Sequence, residues 1–195
     1  MNMTLASVCL VLATGAFNSV PASADDTSSE KGARGPVQLA YQPWSSGMPE
    51  SSHLFTCPQD QIMAGRRHKG DENKDTYYRC AIATQNDSRV RWVDMQTFGP
   101  INEDDGILFS CPTDRVMVGR SHYGDTESGE TWYRCATPIS TYWDNDPMQV
   151  TSIGWSEGEP ESDTDFTCPA PSIMIGRFHR GDENKVTQYK CGKMW

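Results

Sequence analysis

The sequence predicts an all-β protein made of three internal repeats, and three observations support this fold class. The segments 57–80, 111–135 and 168–191 carry one shared pattern of cysteine, Gly-Arg, histidine, Gly-Asp and tyrosine at nearly equal spacing. Runs of mixed apolar and polar residues alternate with Gly-, Pro- and Ser-rich turns. No stretch has apolar residues at the 3.6-residue spacing of a helix. We therefore expect about four strands per repeat and pseudo-threefold symmetry, in a trefoil-like barrel or a three-bladed disc.

The first 36 residues are predicted to lie outside the folded domain. Residues 1–24 contain an apolar run and end in Ala22-Ser23-Ala24, which is typical of a signal peptide, so we expect secretion. Residues 25–36 are polar and have no apolar pattern, which predicts a flexible N-terminal arm. The arm is either a spacer or a peptide that docks on a partner through Lys31 or Arg34.

Residues 37–195 are predicted to form a single β domain, with repeats at about 37–83, 89–137 and 148–195. Each repeat begins with a strand that ends in an aromatic residue thirteen positions before the opening cysteine: Trp44, Phe98 and Trp155. A loop, a short strand into the cysteine, an IMAGRRH-type strand, a charged turn and a TxYxC strand follow. The loop 138–147 is the largest difference between the copies.

Six cysteines open and close the repeats, and in an exported chain they predict disulfide bonds. Fifteen pairings are possible in principle. The similar separations favour Cys57–Cys80, Cys111–Cys135 and Cys168–Cys191, so that each bond closes one repeat. A zinc site is disfavoured because the chain has no Cys-x-x-Cys pair.

The formal net charge of −9, from 17 basic and 26 acidic residues, opposes binding to nucleic acid or to anionic lipid. After the predicted signal peptide, no apolar run approaches the roughly 20 residues of a membrane span. We therefore expect neither a nucleic-acid partner nor membrane insertion.

The residues that recur in all three copies are predicted to face the core. Strand alternation places Arg66 and His68 on the same side as Ile62 and Ala64, at the end of an aliphatic row. A buried guanidinium must be paired, so we expect the recurring aspartates to accept from the arginines. The predicted structural network consists of Arg66, His68, Asp71, Tyr78, Arg120, His122, Asp125, Tyr133, Arg177, His179, Asp182 and Tyr189. The alternative is a ligand site of the same residues in three copies.

The charged turns at 70–73 and 181–184, both Gly-Asp-Glu-Asn, offer oxygen ligands for calcium. They lack the alternating acidic spacing of calcium loops and also fit a Gly-Asp hairpin turn, so we predict no cofactor and no metal. No serine or cysteine nucleophile recurs beside the histidines. The sequence accordingly favours a protein without catalytic activity.

The opposite face of the last strand differs between copies, and we interpret it as a contact surface. It carries aromatic, basic and amide side chains, which suit sugar rings or protein partners. The predicted ligand-binding residues, including one from a turn, are Tyr77, Arg79, Tyr123, Trp132, Arg134, Gln188 and Lys190. The alternative is that they pack beneath the loops.

The motif at 111–135, Cys-Pro-x-x-x-Val-Met-x-x-Arg-Ser followed by an acidic turn and Trp-Tyr-x-Cys, resembles dermatopontin. The chain looks like a GRxHxGDEN variant of such three-repeat proteins. The resemblance implies a secreted protein with three disulfide-closed repeats that acts in matrix adhesion or as a lectin.

Together these patterns predict a secreted recognition module, with multivalent glycan binding as the first hypothesis. The second hypothesis is an adaptor that joins other proteins in an extracellular complex, using residues 25–36 and the variable loops.

Overall fold

The computed structural model describes residues 33–71, 73–103, 106–125, 129–182 and 184–195. The predicted signal peptide, and residues 25–32 of the predicted arm, lie outside this part. The described residues form strands, one short 3₁₀ helix and no α-helix, which confirms the all-β class.

Each repeat contains four main strands, and two-residue strands accompany them. In the first repeat these are β1 Gln38–Trp44, β2 Met48–Pro49, β3 Ser52–Thr56, β4 Gln61–Lys69 and β5 Asp75–Gln85. In the second they are β6 Ser88–Asn102, β7 Ile107–Ser110, β8 Val116–Tyr123 and β9 Glu130–Ser140. The 3₁₀ helix Thr141–Trp143 and β10 Asp146–Pro147 follow. The third repeat contains β11 Val150–Trp155, β12 Glu159–Pro160, β13 Asp163–Thr167, β14 Ile173–His179 and β15 Val186–Met194.

Within each repeat the last strand pairs with two others. The strand after the opening cysteine pairs with it on one side, as in β4–β5, β8–β9 and β14–β15. The first strand pairs with it on the other side, as in β1–β5, β6–β9 and β11–β15. The predicted disulfides Cys57–Cys80, Cys111–Cys135 and Cys168–Cys191 are confirmed, and each joins strands of one repeat.

Between repeats, each short strand before an opening cysteine pairs with a strand of another repeat. β3 pairs with β8, β7 with β14, and β13 returns to β4. The three repeats are thus connected in a cycle, and the strands form a ten-stranded and a five-stranded sheet. The pairing leaves fewer open sheet edges, which would otherwise be sites of aggregation.

A β-bulge interrupts the strand after each opening cysteine and changes the predicted side-chain alternation. The pairing register shifts between Met63 and Gly65, and the other two repeats show the same shift. The shift places Met63 in the apolar cluster of Tyr78 and the disulfide, whereas Ile62 lies in a second cluster. The prediction that Ile62 shares the face of Arg66 was therefore wrong.

The glycine of the recurring Gly-Arg pair is explained by the strand exchange. A Cβ atom on Gly65 would lie 2.5 Å from the carbonyl oxygen of Phe166 in β13. Gly119 and Gly176 are in the same position, each 2.5 Å from the carbonyl of a phenylalanine on the neighbouring short strand. Any larger residue would push the exchanged strand away.

Two apolar clusters fill the interior. The first contains five of the six half-cystines, with Cys111 packed against it, and the methionines Met63, Met117 and Met174, together with three stacked ring pairs. These pairs are Phe55–Tyr78, Phe109–Tyr133 and Phe166–Tyr189, with ring centres 4.3–4.8 Å apart. The second cluster is aliphatic and includes Ile62, Val116 and Ile173. The stacked tyrosines carry their hydroxyls towards the polar site described below.

Two predicted positions need correction. Thr97, not Phe98, lies opposite Arg134 as Trp44 lies opposite Arg79, because the second repeat has one extra residue before its cysteine. Phe98 instead packs against the first apolar cluster. Residues 138–140 of the predicted loop 138–147 belong to β9.

The end of the predicted flexible arm is bound to the β domain. Asn86 accepts a hydrogen bond from the Gly35 N–H and donates one to the Ala33 carbonyl. The Arg34 guanidinium lies 3.5 Å from the Asp146 carboxylate and over the Trp143 ring. Residues 33–36 therefore do not form part of a free arm.

Candidate functional site

The alternation predicted for the last strand of each repeat agrees with the burial of its residues. Thr76, Tyr78 and Cys80 are buried on one face, while Tyr77 and Arg79 are half-buried on the other. The strand after each opening cysteine, which is β4, β8 or β14, also has its recurring arginine and histidine buried. Two candidate sites result, one inside the molecule and one on its outer faces.

Inside, three arginines and three glutamates lie together, and each side chain is at most 2 % exposed. We call them the Arg–Glu ring: Arg66, Arg120, Arg177, Glu50, Glu103 and Glu161. Glu50 contacts Arg66 at 3.0 Å and Arg120 at 2.6 Å. Glu103 contacts Arg120 at 3.1 Å and Arg177 at 3.4 Å. Glu161 contacts Arg177 at 2.7 Å and Arg66 at 2.5 Å, which completes the ring.

Each arginine of the ring pairs with the glutamate of its own repeat and with that of the preceding repeat in the cycle. Arg66 of the first repeat, for example, pairs with Glu50 and with Glu161 of the third. The three positive and three negative charges cancel, which a buried ionic cluster requires. The ring therefore connects the repeats electrostatically, as the exchanged strands do through backbone hydrogen bonds.

The prediction that Asp71, Asp125 and Asp182 accept from the arginines was wrong, because the glutamates occupy that position. Asp71 is exposed at its turn, and its carboxylate accepts the backbone N–H of Asn73. Asp182 does the same for Asn184, and Asp125 is exposed at its own turn. These aspartates shape the turns, as Asp commonly does in loops.

Hydroxyl groups add hydrogen bonds to the arginines of the ring. Tyr189, Tyr78 and Tyr133 each accept from the Nη1 of one arginine, Arg66, Arg120 and Arg177 respectively, at 3.1–3.3 Å. The Nε of Arg66 donates to Thr76, and that of Arg120 donates to Thr131. The predicted grouping of arginine and tyrosine in one network is thereby found in the structure.

The recurring histidines lie at the edge of the ring. Their Nε2 atoms lie 2.8–3.2 Å from the carbonyl oxygens of Gly70, Gly124 and Gly181. The Nδ1 atom of His122 lies 3.4 Å from Glu103, and that of His179 lies 3.6 Å from Glu161. Burial, together with the guanidinium charge of Arg66 or Arg177, lowers the pKa of His68 and His179. These two histidines are therefore neutral at pH 7.

The glutamates of the ring remain ionised. Burial by itself raises the pKa of Glu103, but the hydrogen bond with His122 and the charges of Arg177 and Arg120 lower it to about 2. Burial likewise raises the pKa of Glu50, and the charges of Arg120 and Arg66 outweigh it, so that the pKa lies well below its usual range. Side chains so fixed in charge and so shielded from solvent suit a structural network better than a ligand site.

One position beside the ring differs in every copy. It lies four residues before the opening cysteine and is His53, Ile107 or Thr164. His53 Nε2 lies 2.7 Å from the Tyr78 hydroxyl, and Thr164 Oγ1 lies 3.2 Å from that of Tyr189. Burial lowers the pKa of His53 to about 4 although Glu50 acts in the opposite direction. The interior of the three repeats is thus similar but not identical.

On the outer face of the first repeat, aromatic and basic side chains are stacked. The Arg67 guanidinium lies 4.5 Å from the centre of the Trp44 ring, and that of Arg79 lies 5.3 Å from it. Arg79 also donates to the Gln42 carbonyl, and Arg67 pairs with the exposed Asp165. Tyr77 borders a depression of about 430 Å³ with Arg67, Lys69 and Lys74.

The outer faces of the other repeats carry the rest of the predicted contact residues. Trp132 and Arg134 are half-buried on one face of β9, and Tyr123 at the end of β8 is exposed. Gln188 donates to the Ser156 carbonyl, and Lys190 Nζ lies 5.5 Å from the centre of the Trp155 ring. The predicted surface is therefore divided among three faces and partly covered by the first strand or loop of each repeat.

Sequence reasoning missed two features of the outer faces. Trp155 borders a depression of about 320 Å³ together with Ile153, Glu157 and Phe166. Leu54 and Leu108, three residues before their opening cysteines, are 68 % and 74 % exposed. Their shared spacing was the available signal, because alternation in the short strands points both outward.

Among the residues that the structure describes, no group of three or more His, Cys, Asp or Glu side chains is arranged to hold a metal ion. Glu72 and Glu183 of the proposed calcium turns lie outside the described residues. In the same part of the chain, no helix is long and apolar enough to cross a membrane.

Comparison with known proteins gives no relative from which a function can be transferred. No family model matches the chain, and neither a curated protein nor a solved structure is significantly similar to it. The resemblance to dermatopontin therefore stays a prediction made from the repeat motif.

Proposed function

We propose that this chain is a secreted, non-catalytic recognition module that binds glycans through the outer faces of its repeats. One observation carries the proposal: in each repeat, at least one indole lies on an outer strand face close to a basic side chain. The three indoles are Trp44, Trp132 and Trp155, and the three basic side chains are Arg79, Arg134 and Lys190. A flat ring beside hydrogen-bond donors suits the apolar face and the hydroxyls of a sugar.

The arrangement of the repeats supports a multivalent mode of binding. The cyclic strand exchange and the Arg–Glu ring are consistent with pseudo-threefold symmetry, in which the outer faces point in three directions. Weak sites on one rigid body gain avidity on a polyvalent glycan without any new contact. Three disulfides and the predicted signal peptide are in keeping with an extracellular location.

A glycan array with single and combined variants tests the proposal. Trp132→Ala is expected to reduce saturable binding at least tenfold, and the triple change of Trp44, Trp132 and Trp155 to alanine to remove it. Tyr142→Ala, in the 3₁₀ helix away from the strand faces, is the matched control and should bind normally. If the native protein binds no glycan on the array, or if the folded triple variant binds normally, glycan binding by these faces is contradicted.

A second candidate function, an adaptor between extracellular proteins, rests on the exposed leucines. Leu54 and Leu108 occupy equivalent positions in β3 and β7, while the third repeat has Asp165 there. Exposed apolar side chains at matching places are typical of protein contact sites. Leu54→Asp and Leu108→Asp copy the residue of the third repeat and should abolish co-purification with a partner. If both variants retain every partner captured by the native protein, these leucines do not form the contact.

A further inference from the structure

The first and third repeats differ at one position of their first strand. Tyr41 in β1 lies opposite Ala81, the residue after Cys80. Ser152 in β11 lies opposite Gly192, the residue after Cys191. The two positions are equivalent by strand register, and one holds a large phenol where the other holds a small hydroxyl.

In the first repeat, the Tyr41 ring fills the space between β1 and the Cys-Pro turn of the third repeat. Its hydroxyl donates to the carbonyl oxygen of Cys168 at 2.6 Å. The guanidinium of Arg79 lies 5.5 Å from the ring centre. The ring is thus held by one carbonyl acceptor and one cation, a combination that selects a phenol over a plain phenyl group.

In the third repeat, the corresponding space is open. A pocket of about 180 Å³ lies between β11 and the Cys-Pro turn of the second repeat. Its lining includes Cys111, Pro112, Asp114, Ser152, Ile175 and Lys190. A cavity of about 150 Å³ is enough to hold benzene, so one substituted aromatic ring fits this pocket.

Both groups that hold Tyr41 have counterparts at this pocket. Cys111 opens the second repeat as Cys168 opens the third, and Lys190 precedes its closing cysteine as Arg79 does. Pro112 and Ile175 supply apolar contact for the ring. The Tyr41 side chain of the first repeat therefore shows which kind of group would fit the pocket of the third repeat.

The charged residues around the pocket are already engaged. Asp114 accepts the backbone N–H of Val150 at 2.9 Å, and Arg115 donates to the Asp94 carbonyl at 2.7 Å. Lys190 Nζ lies 3.2 Å from Ser110 Oγ. Because these charged side chains already have partners, the pocket suits a neutral ring, which needs no counter-ion on burial.

We propose that the pocket at Ser152 binds a neutral phenol ring in the position that Tyr41 occupies in the first repeat. The ring belongs either to a small phenolic molecule or to a tyrosine side chain of another protein. Its hydroxyl donates to the Cys111 carbonyl, and Lys190 contacts its face. The pocket shares Lys190 with the outer face of the third repeat, but the proposal does not require glycan binding there.

The test uses p-cresol, which is the tyrosine side chain as a free molecule, in titrations of the full chain followed by protein-observed NMR. The native protein should bind one equivalent saturably, and Ser152→Tyr should weaken binding at least tenfold because the new side chain fills the pocket. Tyr41→Ser should open the first-repeat space and bind a second equivalent, with a larger rise in Tm on adding p-cresol.

Controls separate the phenol site from a simple cavity and distinguish the two sources. Toluene lacks the hydroxyl and should bind at least tenfold more weakly than p-cresol. N-acetyl-tyrosinamide binding that is lost in Ser152→Tyr identifies a tyrosine side chain as the occupant, while p-cresol binding alone identifies a small phenol. Absence of saturable p-cresol binding, equal binding of toluene, or unchanged binding by Ser152→Tyr would overturn the proposal. The Ser152→Tyr result decides this even if Tyr41→Ser does not fold.

Discussion

The Arg–Glu ring and the outer faces are built from the same strands but behave differently. In β5, Tyr78 and Thr76 contact ring arginines, whereas the neighbouring Tyr77 and Arg79 face outward. The inner positions recur in every copy because three repeats must satisfy each other's charges. The outer positions vary because no buried charge of the ring depends on them, although Arg134 and Lys190 also reach Phe55 and Ser110 of other repeats. Charge pairs should therefore matter greatly inside and little outside.

The largest effect is expected when the ring loses a glutamate. Glu103→Ala removes the carboxylate shared by Arg120 and Arg177 and leaves two buried guanidinium groups without it. Breaking a buried pair in this way costs about 3–5 kcal/mol of unfolding free energy. Urea denaturation followed by tryptophan fluorescence measures the loss. A loss below about 1 kcal/mol would show that the ring does not stabilise the fold.

Acid should act on the inner region next. His53 has a pKa of about 4 in the folded protein, and an ordinary value of about 6.5 is expected in the unfolded chain. The unfolded state therefore binds the proton first, and stability falls as pH drops from about 6.5 to 4, by up to about 3 kcal/mol. His68 and His179 act in the same direction, while the glutamates contribute only below about pH 4.5.

Denaturation at pH 7 and pH 5 checks this dependence. His53→Thr, which copies Thr164 of the third repeat, should show a smaller difference between the two pH values than the native protein. If the variant and the native protein lose the same unfolding free energy between pH 7 and pH 5, the acid sensitivity belongs to other groups.

A smaller effect is expected when a tyrosine hydroxyl that contacts the Arg–Glu ring is removed. Tyr133→Phe keeps the stacking on Phe109 but removes the acceptor for Arg177. The expected loss is about 1 kcal/mol of unfolding free energy, the usual contribution of one hydrogen bond. Tyr142→Phe, outside the ring, is the control for the substitution itself. An equal effect of the two changes would contradict a role for the hydroxyl.

The smallest effect is expected at the outer ion pair. Arg67 and Asp165 lie 2.9 Å apart, but their side chains are 41 % and 60 % exposed. Exposed pairs contribute about 0–1 kcal/mol, so Asp165→Ser should leave the denaturation midpoint nearly unchanged. A loss comparable to that of Glu103→Ala would remove the distinction between inside and outside.

Much of the fold could be predicted from the sequence because the signals repeat. The separation of Cys57 and Cys80 recurs to within one residue in the other two repeats and predicted all three disulfides. The alternation of Thr76, Tyr78 and Cys80 predicted which face is buried. What one sequence could not predict was the partner of each short strand, because β13 reaches β4 only through tertiary pairing.

The errors at the candidate site have local causes. The glutamates were missed because Glu103 stands eight residues before its cysteine, while Glu50 and Glu161 stand seven before theirs. Their shared Pro-Glu-Ser context in the first and third copies was the available signal. The bulge after Met63 could not be predicted from the sequence of its own strand. Gly65 is required there because of its contact with the Phe166 carbonyl of another repeat. Both errors concern contacts between repeats.

The return of β13 to β4 also determines what can fold as a unit. Asp165 and Arg67, which this pairing brings together, are 98 residues apart in the chain. A single excised repeat would carry only one arginine and one glutamate of the Arg–Glu ring. Its short strand would have no partner, so the repeat alone has no closed core. The folding nucleus must therefore join distant segments, and a chain of such high contact order is expected to fold slowly and in one cooperative step. The trio of repeats, and not the repeat, is the folding unit of this protein.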